Sequence, residues 1–128
     1  MGLDMYAYTR KKGAKKDDTT EIMEWRKHNR LHGWMEQLWR EKEVEKGNYE
    51  DLRSVDFNCV RLRLKMKDLN RLAKDIANQN FPETQGFFFG TDSYAQYTEY
   101  YMESDIKFLW AAYRAIGNGE KVYYDCWW

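Results

Sequence analysis

The stretch from Cys59 to Lys67 constrains the fold most. Val60, Leu62, Leu64 and Met66 alternate with Arg61, Arg63, Lys65 and Lys67. A strict period of two puts the four apolar side chains on one side of a strand and the four cations on the other. Such a segment needs a sheet with one face against a core and one face turned towards solvent or an anionic partner. Two further segments share the period. Leu3, Met5 and Ala7 alternate with Asp4, Tyr6 and Tyr8, and at the other end Val122, Tyr124, Cys126 and Trp128 form a last strand. This last strand is expected to pair beside the first. Phe87, Phe88 and Phe89, bracketed by Gly86 and Gly90, suit a short strand buried on both faces, hence a central one.

Between these segments the period changes to that of helices. Leu31, Trp34, Met35, Leu38 and Trp39 share one face of a helix from Arg26 to about Glu45, which Gly47 stops. Residues 21–25 fit either a second short strand or an early start of that helix. Asp68 is placed to cap a second helix that carries Leu69, Leu72, Ala73, Ile76 and Ala77. A third runs from about Tyr97 to Ile116, with Tyr101, Phe108, Leu109, Ala112, Tyr113 and Ile116 inward, and Gly117-Asn118-Gly119 ends it. The expected architecture is α+β, a single domain over residues 1–128 with a mostly antiparallel sheet of four or five strands and about three packed helices.

Charge and composition narrow the function classes. The chain has 21 basic and 21 acidic residues, so no whole-protein attraction to nucleic acid is expected. Its charges are unevenly placed, because residues 61–74 hold six basic groups against Asp68. No apolar run approaches the roughly 20 residues of a bilayer span, so no membrane contact is expected. The N-terminus lacks a signal-peptide layout, and Cys59 and Cys126 are read as reduced thiols of a cytoplasmic protein.

The stretch Trp25-Arg26-Lys27-His28-Asn29-Arg30-Leu31-His32-Gly33-Trp34 holds both histidines of the chain and is the candidate site. His32 with Asn29 fits a general base with its orienting amide, a pair of ligand donors, or a boundary histidine bonded to backbone. His28 and His32 have the spacing of two metal ligands, but no third ligand is evident in the sequence, and neither a metal nor a cofactor is expected. The Arg61, Arg63, Lys65, Lys67 stripe fits phosphates, an acidic partner or a solvated face. Tyr6, Tyr8, Trp25, Trp127 and Trp128 fit either stacking on a base or sugar, or packing.

Met1-Gly2-Leu3-Asp4-Met5-Tyr6, Trp25-Arg26-Lys27 with Asn29 and His32, and Thr84-Gln85-Gly86-Phe87-Phe88-Phe89-Gly90 together resemble a family of small phage and prophage proteins. The resemblance implies an accessory protein made in the cytoplasm of an infected bacterial host, of a kind that often acts against host defences. It supplies no reaction. The expected function is binding without turnover of an anionic, nucleotide-like small molecule by Tyr6, Trp25, Arg26, Lys27, Asn29, His32 and Gln85, by a chain that can form homo-oligomers. Two alternatives stand beside it. One is a small nucleotide-directed hydrolase or transferase using His32 as acid or base with Asp4 or Asp125 orienting it; the other is an inhibitor that grips a host defence protein directly.

Overall fold

The computed structural model describes residues 2–47, 56–81, 97–98 and 100–128. Four strands and three helices follow in the order β1 (Asp4–Arg10), β2 (Thr20–Arg26), α1 (Asn29–Glu45), β3 (Leu62–Leu64), α2 (Met66–Ala77), α3 (Met102–Gly117) and β4 (Lys121–Trp127). The sheet is antiparallel throughout, in the order β2-β1-β4-β3. This is the expected α+β architecture, and β4 lies beside β1 as its pattern requires. The Phe87–Phe89 segment lies outside the described residues.

Residues 21–25 belong to a strand. Met5 pairs with Trp25 and Asp4 with Arg26, so the helix starts three residues later than its apolar period alone suggests. The junction is a sharp turn in which Lys27 has φ +55°, Lys27 N–H donates to Leu3 O at 2.8 Å and Asn29 N–H to Lys27 O at 3.1 Å. Trp25 therefore sits on β2, before the helix that carries Asn29 and His32.

The cationic strand is shorter than its alternation, because only Leu62–Leu64 pairs with β4. Asp68 explains why. It caps α2 from the third helical position, accepting Lys65 N–H at 2.8 Å in a capping box, so the helix begins at Met66 and takes the end of the pattern. The same carboxylate accepts from Lys42 Nζ at 2.6 Å, and that ammonium also donates to Arg63 O at 2.6 Å, tying α1 to the β3–α2 corner. Trp34 Nε1 joins α1 to α2 by donating to Asp75 Oδ2 at 2.7 Å.

One core lies on one side of the sheet. Leu3, Met5 and Ala7 from β1, Leu62 and Leu64 from β3, and Val122, Tyr124 and Cys126 from β4 are buried in it with the apolar stripes of all three helices. The opposite face carries Asp4, Tyr6, Tyr8 and Arg10 from β1 and Lys121, Tyr123, Asp125 and Trp127 from β4. Among the described residues no helix packs against that face.

Candidate functional site

The candidate stretch divides between core and solvent at the β2–α1 turn. Trp25, His28, Asn29 and His32 are all 4 % exposed or less, whereas Arg26 and Lys27 are exposed. Tyr6 and Asp4 lie on the open face of the sheet, and Gln85 lies outside the described residues. The residues expected to share one site are thus on two sides of the sheet, with Asp4 far from the imidazole it was expected to orient.

His32 is held in the core. Its Nδ1 lies 2.8 Å from the Tyr124 hydroxyl and its ring packs at 5.2 Å from the Phe57 ring. Burial pushes its pKa down to about 4, so it is neutral at ordinary pH and we assign Nδ1 as acceptor of the Tyr124 proton. Burial likewise holds the Tyr124 phenol well above its ordinary value and pushes the Cys126 thiol up to about 12. A neutral imidazole in this setting has the hydrogen bonding of a structural group. General acid–base work needs contact with a substrate proton, and a side chain enclosed by the core offers none.

Asp105 of α3 forms a second buried cluster that the sequence reading passed over. The carboxylate is fully buried and accepts from Trp25 Nε1 at 3.0 Å through one oxygen and from Tyr97 OH at 2.8 Å through the other. His28 Nε2 lies 2.8 Å from the second oxygen. Leu31 N–H points to His28 Nδ1 at 3.4 Å as the helix cap, which leaves Nε2 to carry the hydrogen towards Asp105. The Tyr101 ring stacks on His28 at 4.3 Å, and its hydroxyl donates to Arg26 O and Lys27 O at 3.2 and 3.1 Å. The cluster therefore fixes the turn that carries Arg26 and Lys27. The signal for it was present: Asp105 stands three and four residues before Phe108 and Leu109, an acidic residue at a core position of the helix.

The open face is exposed at Trp127, while Tyr123 on it is only 7 % exposed beneath its neighbours. Pairing fixes its rows: Asp4 lies between Arg26 and Trp127, Tyr6 between Glu24 and Asp125, and Tyr8 between Glu21 and Tyr123, with Arg63 beyond Tyr123. Arg10 and Lys121 form the last row. Tyr8 and Tyr123 stack at 5.5 Å, and the Arg61 guanidinium lies 5.3 and 5.2 Å from their ring centres while Nε donates to Tyr8 OH at 2.6 Å. Arg10 approaches Tyr123 at 5.6 Å. Each of these is a cation over an aromatic face.

At the other end of the face the aromatic surface is bare. Trp127 is 64 % exposed and, with Gly2, Asp4 and Trp128, lines a hollow of about 270 Å³. Arg26 is within 3.6 Å of Asp4 there, and the Lys27 side chain lies beside Gly2. Asp4, Glu24 and Asp125 stand towards this aromatic end, and the cations Arg10, Arg61, Arg63 and Lys121 gather towards the other, with Glu21 at the edge of the Tyr8 row. Such a face can stack a ring, accept N–H or O–H donors beside it and hold negative charge further along.

Fold and face together define a small α+β protein with a one-sided antiparallel sheet whose helix-free side carries aromatic rings among charges of both signs. Compared with known proteins, the chain matches no family model, no curated protein and no solved structure. No helix among the described residues is long and apolar enough to cross a membrane.

Proposed function

We propose that this chain is a non-catalytic binding protein that holds an anionic, nucleotide-like ligand on the open face of its sheet. The observation that carries the reading is the β1–β4 register. It sets Trp127 beside Asp4, one row from Tyr6 and Asp125, and pairs Tyr8 with Tyr123 further along, where Arg10, Arg61, Arg63 and Lys121 gather. The ring of the ligand stacks on Trp127 beside Tyr6, Asp4 accepts a donor from base or sugar, and the phosphate groups reach the arginines. Trp127 and Tyr123 are four residues apart on one strand, about 13 Å at strand rise, which is the reach of a nucleotide with its phosphates extended. Arg26 and Lys27 keep the binding role expected for them, now beside Asp4. Trp25, Asn29 and His32 lie in the core and do not touch the ligand, Trp25 bracing the turn through Asp105. In a phage setting such a protein sequesters a host signalling nucleotide, and retention without turnover is enough for that task.

Titration calorimetry against a panel of mono-, di-, tri- and cyclic nucleotides tests the reading. Removing the platform with Trp127→Ala is expected to weaken the bound nucleotide by about 1–3 kcal/mol, the worth of one stacked base. Arg61→Ala is expected to cost at least about tenfold in affinity through a lost charge-assisted contact. Denaturing the complex and chromatographing the ligand is expected to return it unchanged. A panel with no binder, or binding indifferent to Trp127→Ala and Arg61→Ala, overturns the proposal; recovered product overturns the claim of no turnover.

A further inference from the structure

Helix α3 carries an apolar stripe on the side away from the core. Trp110 is 71 % exposed and Ile106 39 %, and the two form a ridge between two hollows. One, of about 400 Å³, is lined by Ile106, Lys107, Trp110, Ala111 and Arg114; the other, of about 340 Å³, lies towards α2 over Ala73, Leu109 and Tyr113. A tryptophan this open at the centre of a helix face is costly to leave in water and common at the centre of interfaces.

The stripe is complementary to itself. Consider a two-fold axis crossing α3 between Phe108 and Leu109, so that a second copy of the helix runs antiparallel. The axis sets Glu103 opposite Arg114 of the second copy, Lys107 opposite Trp110, and Ile106 opposite Ala111. Each contact is made twice, as an isologous interface requires. An acidic end meets a basic end, a cation meets an indole face, and small Ala111 leaves room for the ridge. Trp110 of each copy is then set over the 400 Å³ hollow of the other, beside Ile106, Lys107 and Ala111 of its lining. Glu103 and Lys107 also meet within the helix at 3.1 Å, an exposed pair that sets both groups on the same stripe.

From this self-complementarity we infer that α3 is the interface of a homodimer. The inference stands apart from the ligand reading. Because α3 packs on the helical side of the sheet, dimerisation through it leaves both open faces pointing outward and accessible. A single helix pair buries less than a standard interface of about 1,200–2,000 Å², so the dimer forms in a concentration-dependent equilibrium.

Sedimentation velocity of the full chain over about a hundredfold range of concentration tests it, because mass action moves the equilibrium across such a range. The wild type is expected to shift from monomer to dimer. Trp110→Ala is expected to raise the dissociation constant at least about 30-fold, as for a central interface residue. Its exposure means that the monomer fold is kept, which far-UV circular dichroism checks. Glu103→Arg and Arg114→Glu are each expected to weaken the dimer several-fold by opposing like charges, and the double variant to restore it. A protein that stays monomeric throughout, a dimer unmoved by Trp110→Ala, or a double variant no better than the single ones overturns the assignment.

Discussion

Replacing Asp105 with alanine is expected to cost about 4 kcal/mol of folding stability, a large part of the 5–15 kcal/mol typical of a domain. The carboxylate is the shared acceptor of Trp25 Nε1, His28 Nε2 and Tyr97 OH, all within 3.0 Å and all in the core. Taking it away leaves buried donors facing a void, and each such loss costs about 1–3 kcal/mol where water cannot take over. The three contributions are not additive, because the groups share one acceptor and one space. Asparagine keeps the shape but has a single acceptor oxygen, so Asp105→Asn is expected to lose about half as much. Urea unfolding followed by tryptophan fluorescence measures both. An Asp105→Ala protein within about 1 kcal/mol of wild type would mean that the cluster is not the brace described here. The loss has a functional side, since the cluster fixes the β2–α1 turn. Arg26 and Lys27 are expected to become more accessible to trypsin in the Asp105 variants before the sheet itself unfolds.

The second large effect is on pH dependence and belongs to His32. Its pKa falls from the ordinary 6.5 to about 4 because burial disfavours the charged ring. Between those values the unfolded chain binds a proton that the folded chain refuses, so protonation favours unfolding. Above pH 6.5 the ring is neutral in both states and stability is unaffected by it. As the pH drops from 6.5 to 4 the protein is expected to lose up to about 3 kcal/mol through this one group. Carboxylates titrate in the lower part of the window too, so the informative quantity is a difference. His32→Asn sets an amide oxygen at the same number of bonds from the backbone as Nδ1, so it can still accept from Tyr124 OH but carries no titrating ring. The wild type is expected to lose stability faster than this variant between pH 6.5 and 4, and parallel curves would falsify the assignment of a neutral buried imidazole.

Much of the fold was legible because its signals are local. The alternations in Leu3–Tyr8 and Val122–Trp128 reported strand, buried side and exposed side together, since consecutive side chains in a strand must point to opposite faces. The open face was therefore implicit: once Val122, Tyr124 and Cys126 are inward, Tyr123, Asp125 and Trp127 are outward. The helical stripes of α1 and α2 were equally plain. Boundaries were less so. Residues 21–25 read as either strand or helix on their own, and only pairing with β1 decides for the strand, which takes Arg26 as well. Lys65-Met66-Lys67 continues an alternating pattern, yet Asp68 captures Lys65 N–H and starts α2 there.

The candidate site was legible as residue types but not as a place. A histidine on the edge of an apolar stripe has the same local sequence whether a cleft or a core lies beside it, and Phe57 and Tyr124, which enclose His32, are 25 and 92 positions away. Asp105 was hidden for the same reason, as two of its partners, Trp25 and His28, lie some 80 residues upstream. By itself the sequence determined most of the element types and the two-faced character of the sheet, because these follow from periodicity and side-chain chemistry. Tertiary structure alone decided which polar groups are accessible. Burial depends on what lies across the sheet, and the strand register that sets Trp127 beside Asp4 and turns His32 towards Tyr124 exists only once distant segments pair.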